Sequence, residues 1–177
     1  VSLEKLNTNA IDRENRTATV GAGVILADLQ KAVEAEGLFY PPDPTEWSCQ
    51  IGGTVATNAS GARSFKYGAT RRYVRRIEVV LADGSVVEIE RNRKSPSVSK
   101  GNTRSLEVSP LLTRGLSQIP LLTYERPDVR KNVSGYFNDA PLDLIDLFIG
   151  SEGTLGVITE VEIDLLPKPE GFFSGIV

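Results

Sequence analysis

The chain has 177 residues, 40% of them hydrophobic and 24% charged, and its 20 basic and 23 acidic residues leave a formal charge of −3. That is enough apolar material for one globular domain with a core, and no excess of either sign directs the chain to nucleic acid or an anionic membrane. A single cysteine, Cys49, excludes any disulfide within the chain, and the absence of histidine removes the commonest general base and metal ligand. Acid–base chemistry is therefore expected elsewhere in a parent polypeptide or from a cofactor. No apolar run approaches the roughly 20 residues of a membrane span; the longest, Leu142 to Ile149, is interrupted by Asp143 and Asp146. The first residues, Val1-Ser2-Leu3-Glu4-Lys5, do not resemble a signal peptide, and no methionine occurs anywhere. The expectation is a piece of a longer polypeptide.

In chain order, Thr17 to Val20 reads as a strand entering the turn Gly21-Ala22-Gly23. Leu26 to Glu36 has helical spacing, with Ile25, Leu29, Ala32 and Val33 on one face and Gly37 at the C-terminal cap. Pro41-Pro42-Asp43-Pro44 excludes helix and central strand and predicts a stiff extended segment. Ile77, Val79 and Leu81 alternate towards Asp83-Gly84, and Val87 and Ile89 continue beyond it, the pattern of a hairpin. Arg91 to Arg104 is polar and reads as an exposed loop, whereas Leu111 to Tyr124 is apolar without a clear period. Pro141 is expected to open a short helix pairing Leu144 with Phe148 and Ile145 with Ile149. Gly150, Gly153 and Gly156 break it, and Val157 to Leu165 reads as a strand closed by Pro167 and Pro169. Strands and helices mix without regular βαβ alternation, which favours an α+β fold.

Two stretches carry chemistry. Pro42 to Gly61 joins the proline segment, the pair Gly52-Gly53 and a run of small residues. Glycine lets a backbone approach a ligand and present its N–H groups. Thr45, Ser48, Thr57, Asn58 and Ser60 add short polar groups. A tight loop between a strand and a turn explains the same composition equally well. Gly150 to Thr159 places three glycines at intervals of three between a helix and a strand. No lysine stands where a Walker A loop needs one, and the glycine order is not that of a Rossmann fingerprint. By itself this stretch is either a ligand-contacting loop or a plain glycine-rich turn.

Together the two stretches resemble the FAD-binding domain of the vanillyl-alcohol oxidase, or PCMH, type, in its D-lactate dehydrogenase and glycolate oxidase flavin-subunit branch. The resemblance is carried by Pro42-Asp43-Pro44, Cys49-Gln50-Ile51-Gly52-Gly53, Ala56-Thr57-Asn58-Ala59-Ser60-Gly61, Tyr67-Gly68, Lys131-Asn132-Val133-Ser134-Gly135-Tyr136, and Leu147 to Gly156 followed by Val157-Ile158-Thr159. It runs from about Gly21 to Pro169. It implies a mixed or antiparallel sheet flanked by helices, non-covalent FAD, and hydride transfer to flavin from a small 2-hydroxy acid such as D-lactate or glycolate.

Position by position, the resemblance implies that Pro42, Asp43, Pro44, Thr45, Ser48 and Cys49 run beside the flavin and pyrophosphate. Gly52 and Gly53 would bring backbone against the cofactor, and Thr57, Asn58, Ala59, Ser60 and Gly61 would reach phosphate and ribose. Glu152, Gly153, Thr154, Gly156, Val157 and Ile158 would close on the adenine and ribitol side. Ser60 departs from the family's usual glycine. The family's first glycine-rich loop would lie upstream of residue 1, leaving the N-terminal subdomain incomplete. The substrate domain, with its catalytic and metal-binding histidines, would lie downstream. Residues 1–177 are thus expected to be a partial FAD domain with no catalytic residue or metal site, inactive alone. The expected location is cytoplasmic, free or peripheral to the inner membrane, with a partner subunit or homodimer as the expected assembly.

Other residues keep two readings. Arg63, Lys66, Arg71, Arg72, Arg75 and Arg76 either meet phosphates, an acidic substrate or a partner, or form a solvated face. Trp47 either stacks on a ring or anchors the core. Cys49 is expected to be a packing residue rather than a covalent flavin link. Two rival functions remain: the same FAD domain in a non-redox alkyl-glycerone-phosphate synthase, and a non-catalytic contact module.

Overall fold

The computed structural model describes residues 2–91, 98–100, 103–107, 118–120, 129, 132–139 and 143–171. Its strands are β1 (Asn9–Asp12), β2 (Thr17–Gly21), β3 (Leu38–Phe39), β4 (Val74–Val80), β5 (Val86–Glu90), β6 (Val98–Lys100), β7 (Thr103–Glu107), β8 (Gln118–Pro120), β9 (Val157–Asp164) and β10 (Leu166–Pro167). Its helices are α1 (Leu26–Ala35), α2 (Ile51–Ala56), α3 (Ser64–Tyr67) and α4 (Leu144–Phe148), with a 3-10 turn at Thr70–Tyr73. A five-stranded sheet in the order β1-β2-β9-β4-β5 forms the frame, and every pairing in it is antiparallel. β3 pairs with β10, and β6-β7-β8 form a third sheet. The fold is α+β, as the mixed pattern predicts.

Period-two patterning builds the frame. Val20 and Ala18 of β2, Val161 and Ile163 of β9, Ile77 and Val79 of β4 and Ile89 of β5 are buried together. α1 covers them with Leu26, Leu29 and Val33, and α2 with Ile51 and Val55. Leu29 and Val33 form the buried stripe of α1 as expected, and at its start Leu26 is buried whereas Ile25, the extended N-cap, is only half-buried. Gly37 takes φ +72° directly after the helix, as a C-terminal glycine does. The β4–β5 hairpin closes on Asp83-Gly84, with Gly84 at φ +83° and the Leu81 N–H on Ser85 O at 2.9 Å.

Three local expectations change. The expected loop from Arg91 to Arg104 contains β6 and the start of β7, paired Lys100 to Thr103. Alternating hydroxyl and β-branched residues such as Val98, Ser99, Thr103 and Ser105 suit a strand despite their polarity. Residues 92–97 and 101–102 of that stretch, most of Leu111 to Tyr124, Lys131 and Pro141 lie outside the described residues. The helix expected from Pro141 begins at Leu144, because Asp143 is extended (φ −109°, ψ 154°) and its N–H donates to Asp146 Oδ2 at 3.3 Å. The Gly52-Gly53 stretch is a helical turn rather than a loop.

The proline segment is held from its side. The Gln30 amide donates to Tyr40 O at 3.2 Å and Pro42 O at 2.8 Å. Gly61 lies so close beneath Asp43 that a Cβ there would stand 1.8 Å from the Asp43 carbonyl oxygen. Gly61→Ala should therefore cost about 1–3 kcal/mol or more by overpacking, read as a lower urea midpoint; an unchanged midpoint would mean the segment yields freely. Ile163→Ala, which empties a fully buried position, should cost ~2–5 kcal/mol at unchanged urea slope.

Candidate functional site

The two glycine-rich stretches meet. A cleft of about 520 Å³ is lined by Gln50, Gly52, Gly53 and Ala56 on the α2 side, by Gly153, Gly156, Val157 and Ile158 on the other, and by Ser2, Leu3 and Glu4 at its margin. Gly53 and Gly153 stand 100 residues apart in sequence. Backbone bonding joins their segments. Gly150 N–H donates to Val55 O at 3.0 Å and Glu152 N–H to Ala56 O at 2.8 Å, satisfying carbonyls that end α2. Gly150 has φ +85°, and Glu152 also takes a left-handed conformation at φ +54°.

The glycines of the cleft have different physical reasons. Gly52 packs on Ala22, whose Cβ would lie 2.7 Å from an added Cβ, and its N–H donates to Ala22 O at 2.9 Å. Gly156 crosses β4, where a Cβ would stand 2.5 Å from Val79 Cγ1. Around Gly53 and Gly153 an added Cβ meets nothing within 4 Å. Gly53 is the third residue of α2, so its N–H has no intrahelical acceptor. Gly53 and Gly153 are thus open positions, whereas Gly52 and Gly156 are closed by packing.

Of the other sequence-predicted site residues, none lines this cleft. Pro42 is buried, Asp43 and Pro44 are half-buried, and Thr45 and Ser48 are exposed. Asp43 Oδ1 accepts the Arg63 N–H at 3.0 Å, and the side chains of the two form an ion pair at 3.5 Å. Ser48 donates its N–H and its hydroxyl to Glu46, at 2.9 and 2.5 Å, which holds the Glu46 carboxyl below its ordinary range. Thr57 Oγ1 donates to Gly53 O at 2.9 Å. Asn58 is buried at φ +48° and accepts the Arg71 N–H at 2.9 Å. Ala59 and Ser60 are half-buried, and Ala59 O accepts both the N–H and the hydroxyl of Thr70. Thr154 Oγ1 donates to Ser151 O at 2.6 Å and meets Tyr136 Oη at 2.5 Å.

Cys49 is half-buried against the core, and burial pushes its thiol up. Trp47 is exposed, so it is not a core anchor. The basic cluster is engaged within the molecule. Arg75 pairs with Glu162 and Asp164, Arg76 with Glu88, Glu160 and Glu162, and Arg71 with the buried Asp146. Sequence reasoning missed Ser2, Leu3, Glu4, Gln50 and Ala56 as cleft residues. The Gly21-Ala22-Gly23 turn carried a signal for the first three. A Cβ on Gly21 or Gly23 would stand 2.3 Å from Leu6 O or 2.2 Å from Leu3 O, so these glycines admit the N-terminal segment.

Comparisons with known proteins identify the family. The FAD binding domain family matches residues 1–90, half of the chain. The chain is 41% identical over 161 residues to the glycolate oxidase subunit GlcD of Bacillus subtilis, covering 90% of this chain and 25% of that protein. It is 38% identical over 178 residues to a D-lactate dehydrogenase of Anaerostipes hadrus, covering 100% of this chain and 29% of that protein. It is 40% identical over 149 residues to the mitochondrial D-2-hydroxyglutarate dehydrogenase of Bos taurus, covering 84% of this chain and 20% of that one. The chain therefore spans between a fifth and a third of the length of these relatives. Among solved structures, an alkyldihydroxyacetonephosphate synthase superposes with a TM-score of 0.61 at 20% identity, over 95% of this chain and 23% of that one. The 6-hydroxy-D-nicotine oxidase of Arthrobacter nicotinovorans superposes with a TM-score of 0.59 at 20% identity, over 92% of this chain and 25% of that one. At that identity the likeness concerns the fold. Sequence family, fold and the convergence of the two glycine stretches all agree, and the chain belongs to the FAD binding domain family.

Proposed function

We propose that the cleft between α2 and the Gly150–Ile158 loop holds part of an FAD molecule, in a flavin-dependent oxidoreductase of small 2-hydroxy acids. The observation that carries this reading is the convergence of two distant glycine stretches on one cleft, with Gly53 and Gly153 presenting open backbone to it. A flat or anionic group can approach such a surface closely, and main-chain groups can bind it without a charged side chain. Gly53, Gly153, Val157 and Ile158 would meet the cofactor directly. Asp43, Thr57, Asn58 and Ser60, with their neighbours Pro42, Pro44, Thr45, Ser48, Cys49, Ala59 and Gly61, would shape the adjoining wall. When bound, FAD supplies the acceptor for the hydride leaving the α-carbon of the hydroxy acid. The chain's own residues bind and orient that group.

The substrate class rests on relatives named as glycolate oxidase subunit and D-lactate dehydrogenase. The 177 residues form part of the flavin domain, and substrate recognition lies in the remaining length that these relatives possess. Among the described residues no helix is long and apolar enough to cross a membrane. A cytoplasmic setting suits the free thiol of Cys49.

Titration of the chain with FAD should give saturable quenching of flavin fluorescence. Gly53→Leu, whose Cβ would meet nothing within 4 Å, should abolish the quenching while leaving the thermal midpoint within a few degrees. Full quenching by this variant would remove the cleft from the cofactor site. The flavin should leave on denaturation, because Cys49 forms no covalent link. With its thiol raised by burial, Cys49 holds less thiolate at neutral pH than a free cysteine. Its alkylation by iodoacetamide should therefore be slow at pH 7 and rise with a midpoint above that of a free cysteine in the same buffer; a midpoint below that of the free amino acid would show an activated thiol.

A further inference from the structure

Arg71 belongs to the basic cluster of the sequence, yet its guanidinium is turned inward, 15% exposed. Nη1 donates to Asp146 O at 2.6 Å and to Asp146 Oδ1 at 3.0 Å, and Nη2 donates to Ile149 O. The guanidinium also stacks over the Phe137 ring, 4.4 Å from its centroid. At its other end, the Arg71 N–H donates to Asn58 Oδ1 at 2.9 Å. One residue therefore grips the middle of the Ala56–Gly61 run and the entrance of the Gly150–Ile158 loop together. Gly150 lies against both partners: a Cβ built on it would stand 3.3 Å from Asn58 Cβ and 3.4 Å from Arg71 Nη2.

Arg91 provides an internal comparison. It holds the same carboxylate, with Nη1 on Asp146 Oδ2 at 3.0 Å and Nη2 on Asp146 Oδ1 at 2.8 Å. Its remaining bonds go to Val74 O and Arg71 O, on the sheet side. Both arginines neutralise Asp146, but the hydrogen bonds of Arg91 go to Asp146, Val74 and Arg71 and not to Ile149 or Asn58.

We propose that Arg71 is a positioning residue for the cofactor cleft, fixing the Gly150–Ile158 loop against the C-terminal end of α2. This rests on the flavin reading of that cleft. A planar fork reaches two carbonyls and a carboxylate at once, which a lysine cannot do. Arg71→Lys keeps the charge beside Asp146 and loses the fork; Arg91→Lys does the same on the sheet side.

The test compares these two variants of the full chain by amide hydrogen exchange and by FAD titration. Arg71→Lys should speed exchange of the Gly150 and Glu152 amides by about ten-fold or more and weaken FAD binding on the order of ten- to a hundred-fold. It should also change the shape of the bound flavin's visible absorption band. Arg91→Lys, at a comparable loss in thermal midpoint, should leave all three close to the unmodified chain. If the two variants shift exchange and affinity equally, or neither shifts them, Arg71 is merely a stabilising residue and the proposal falls. Faster exchange in Arg71→Lys with unchanged FAD affinity would overturn the link to the cofactor. An unmodified chain that fails to bind FAD would overturn the flavin reading of the cleft, and this proposal with it. Should Arg71→Lys not fold, Phe137→Leu removes only the ring beneath the guanidinium; it should shift exchange and affinity in the same direction by a smaller factor, and no shift in either would likewise overturn the proposal.

Discussion

The carbonyl of Ala56 at the end of α2 is met by the Glu152 N–H and that of Val55 by the Asn58 and Gly150 N–H groups, so the Gly150–Glu152 backbone closes the helix end. A helix of six residues has few internal bonds of its own, so each of these two contacts is a large share of what holds it. Each contributes only about 0.5–1.5 kcal/mol net, but leaving a buried carbonyl unpaired costs more than the bond gains. The contact can form only if the chain turns left-handed at Gly150 and again at Glu152 and Gly153. It also requires α4 to end at a fixed place, which Asp146 ensures. That carboxylate is 4% exposed and lies between two guanidinium groups. Removing one partner of such a buried pair costs about 3–5 kcal/mol, so the arrangement has little room to drift. The cleft is a consequence of this joint rather than a separate feature.

Periodicity made part of this legible. The alternation of Ile77, Val79, Val87 and Ile89 around Asp83-Gly84 encodes a hairpin locally, because turn chemistry and strand pattern agree. The spacing of Leu29 and Val33 before Gly37 likewise encodes α1, and Ile25 drops out of its buried face because it is the extended N-cap and not part of the helix. The helix at Ile51–Ala56 was not legible. Two glycines, a threonine and a valine in six residues have poor intrinsic helix preference. Its N–H groups at Ile51 and Gly52 go to Val24 O and Ala22 O, and its last carbonyls go to residues nearly a hundred positions later. Tertiary backbone bonding imposes that helix, and no local window contains the information.

The same limit applied to the arginines. Arg71 and Arg72 are neighbours in sequence, and composition treats them alike. In the structure Arg72 is exposed, with a long contact to Tyr67 O at 3.5 Å, while Arg71 reaches Asp146, 75 residues away. The motif order from Pro42 to Gly61 and from Leu147 to Ile158 pointed to two stretches that meet in the structure. It could not separate glycines that face the cleft from glycines that admit the protein's own backbone. Gly61 belongs to the second kind, because Asp43 occupies the space a side chain would need, and Gly52 lines the cleft yet is also closed by Ala22.

Charge disposition explains why the cleft is lined as it is. Asp43 is held by Arg63, Glu46 by Ser48, Asp146 by two arginines, and Arg75 and Arg76 by the acidic residues of β5 and β9. These groups stabilise loops and strands and are oriented away from independent chemistry. Among the described residues, Glu4 is the one charged residue lining the cleft between α2 and β9, which otherwise presents glycines, alanine, uncharged polar groups and aliphatic side chains. Such a surface is suited to holding a large ligand by shape and main-chain bonding and poorly suited to transferring protons itself. A family whose reactivity resides in a bound redox group requires this division, since the protein's task is then to fix the group's position and the dielectric around it. The joint at Val55, Ala56 and Gly150 meets that requirement through backbone bonds, with the Arg71 guanidinium holding the loop that makes them.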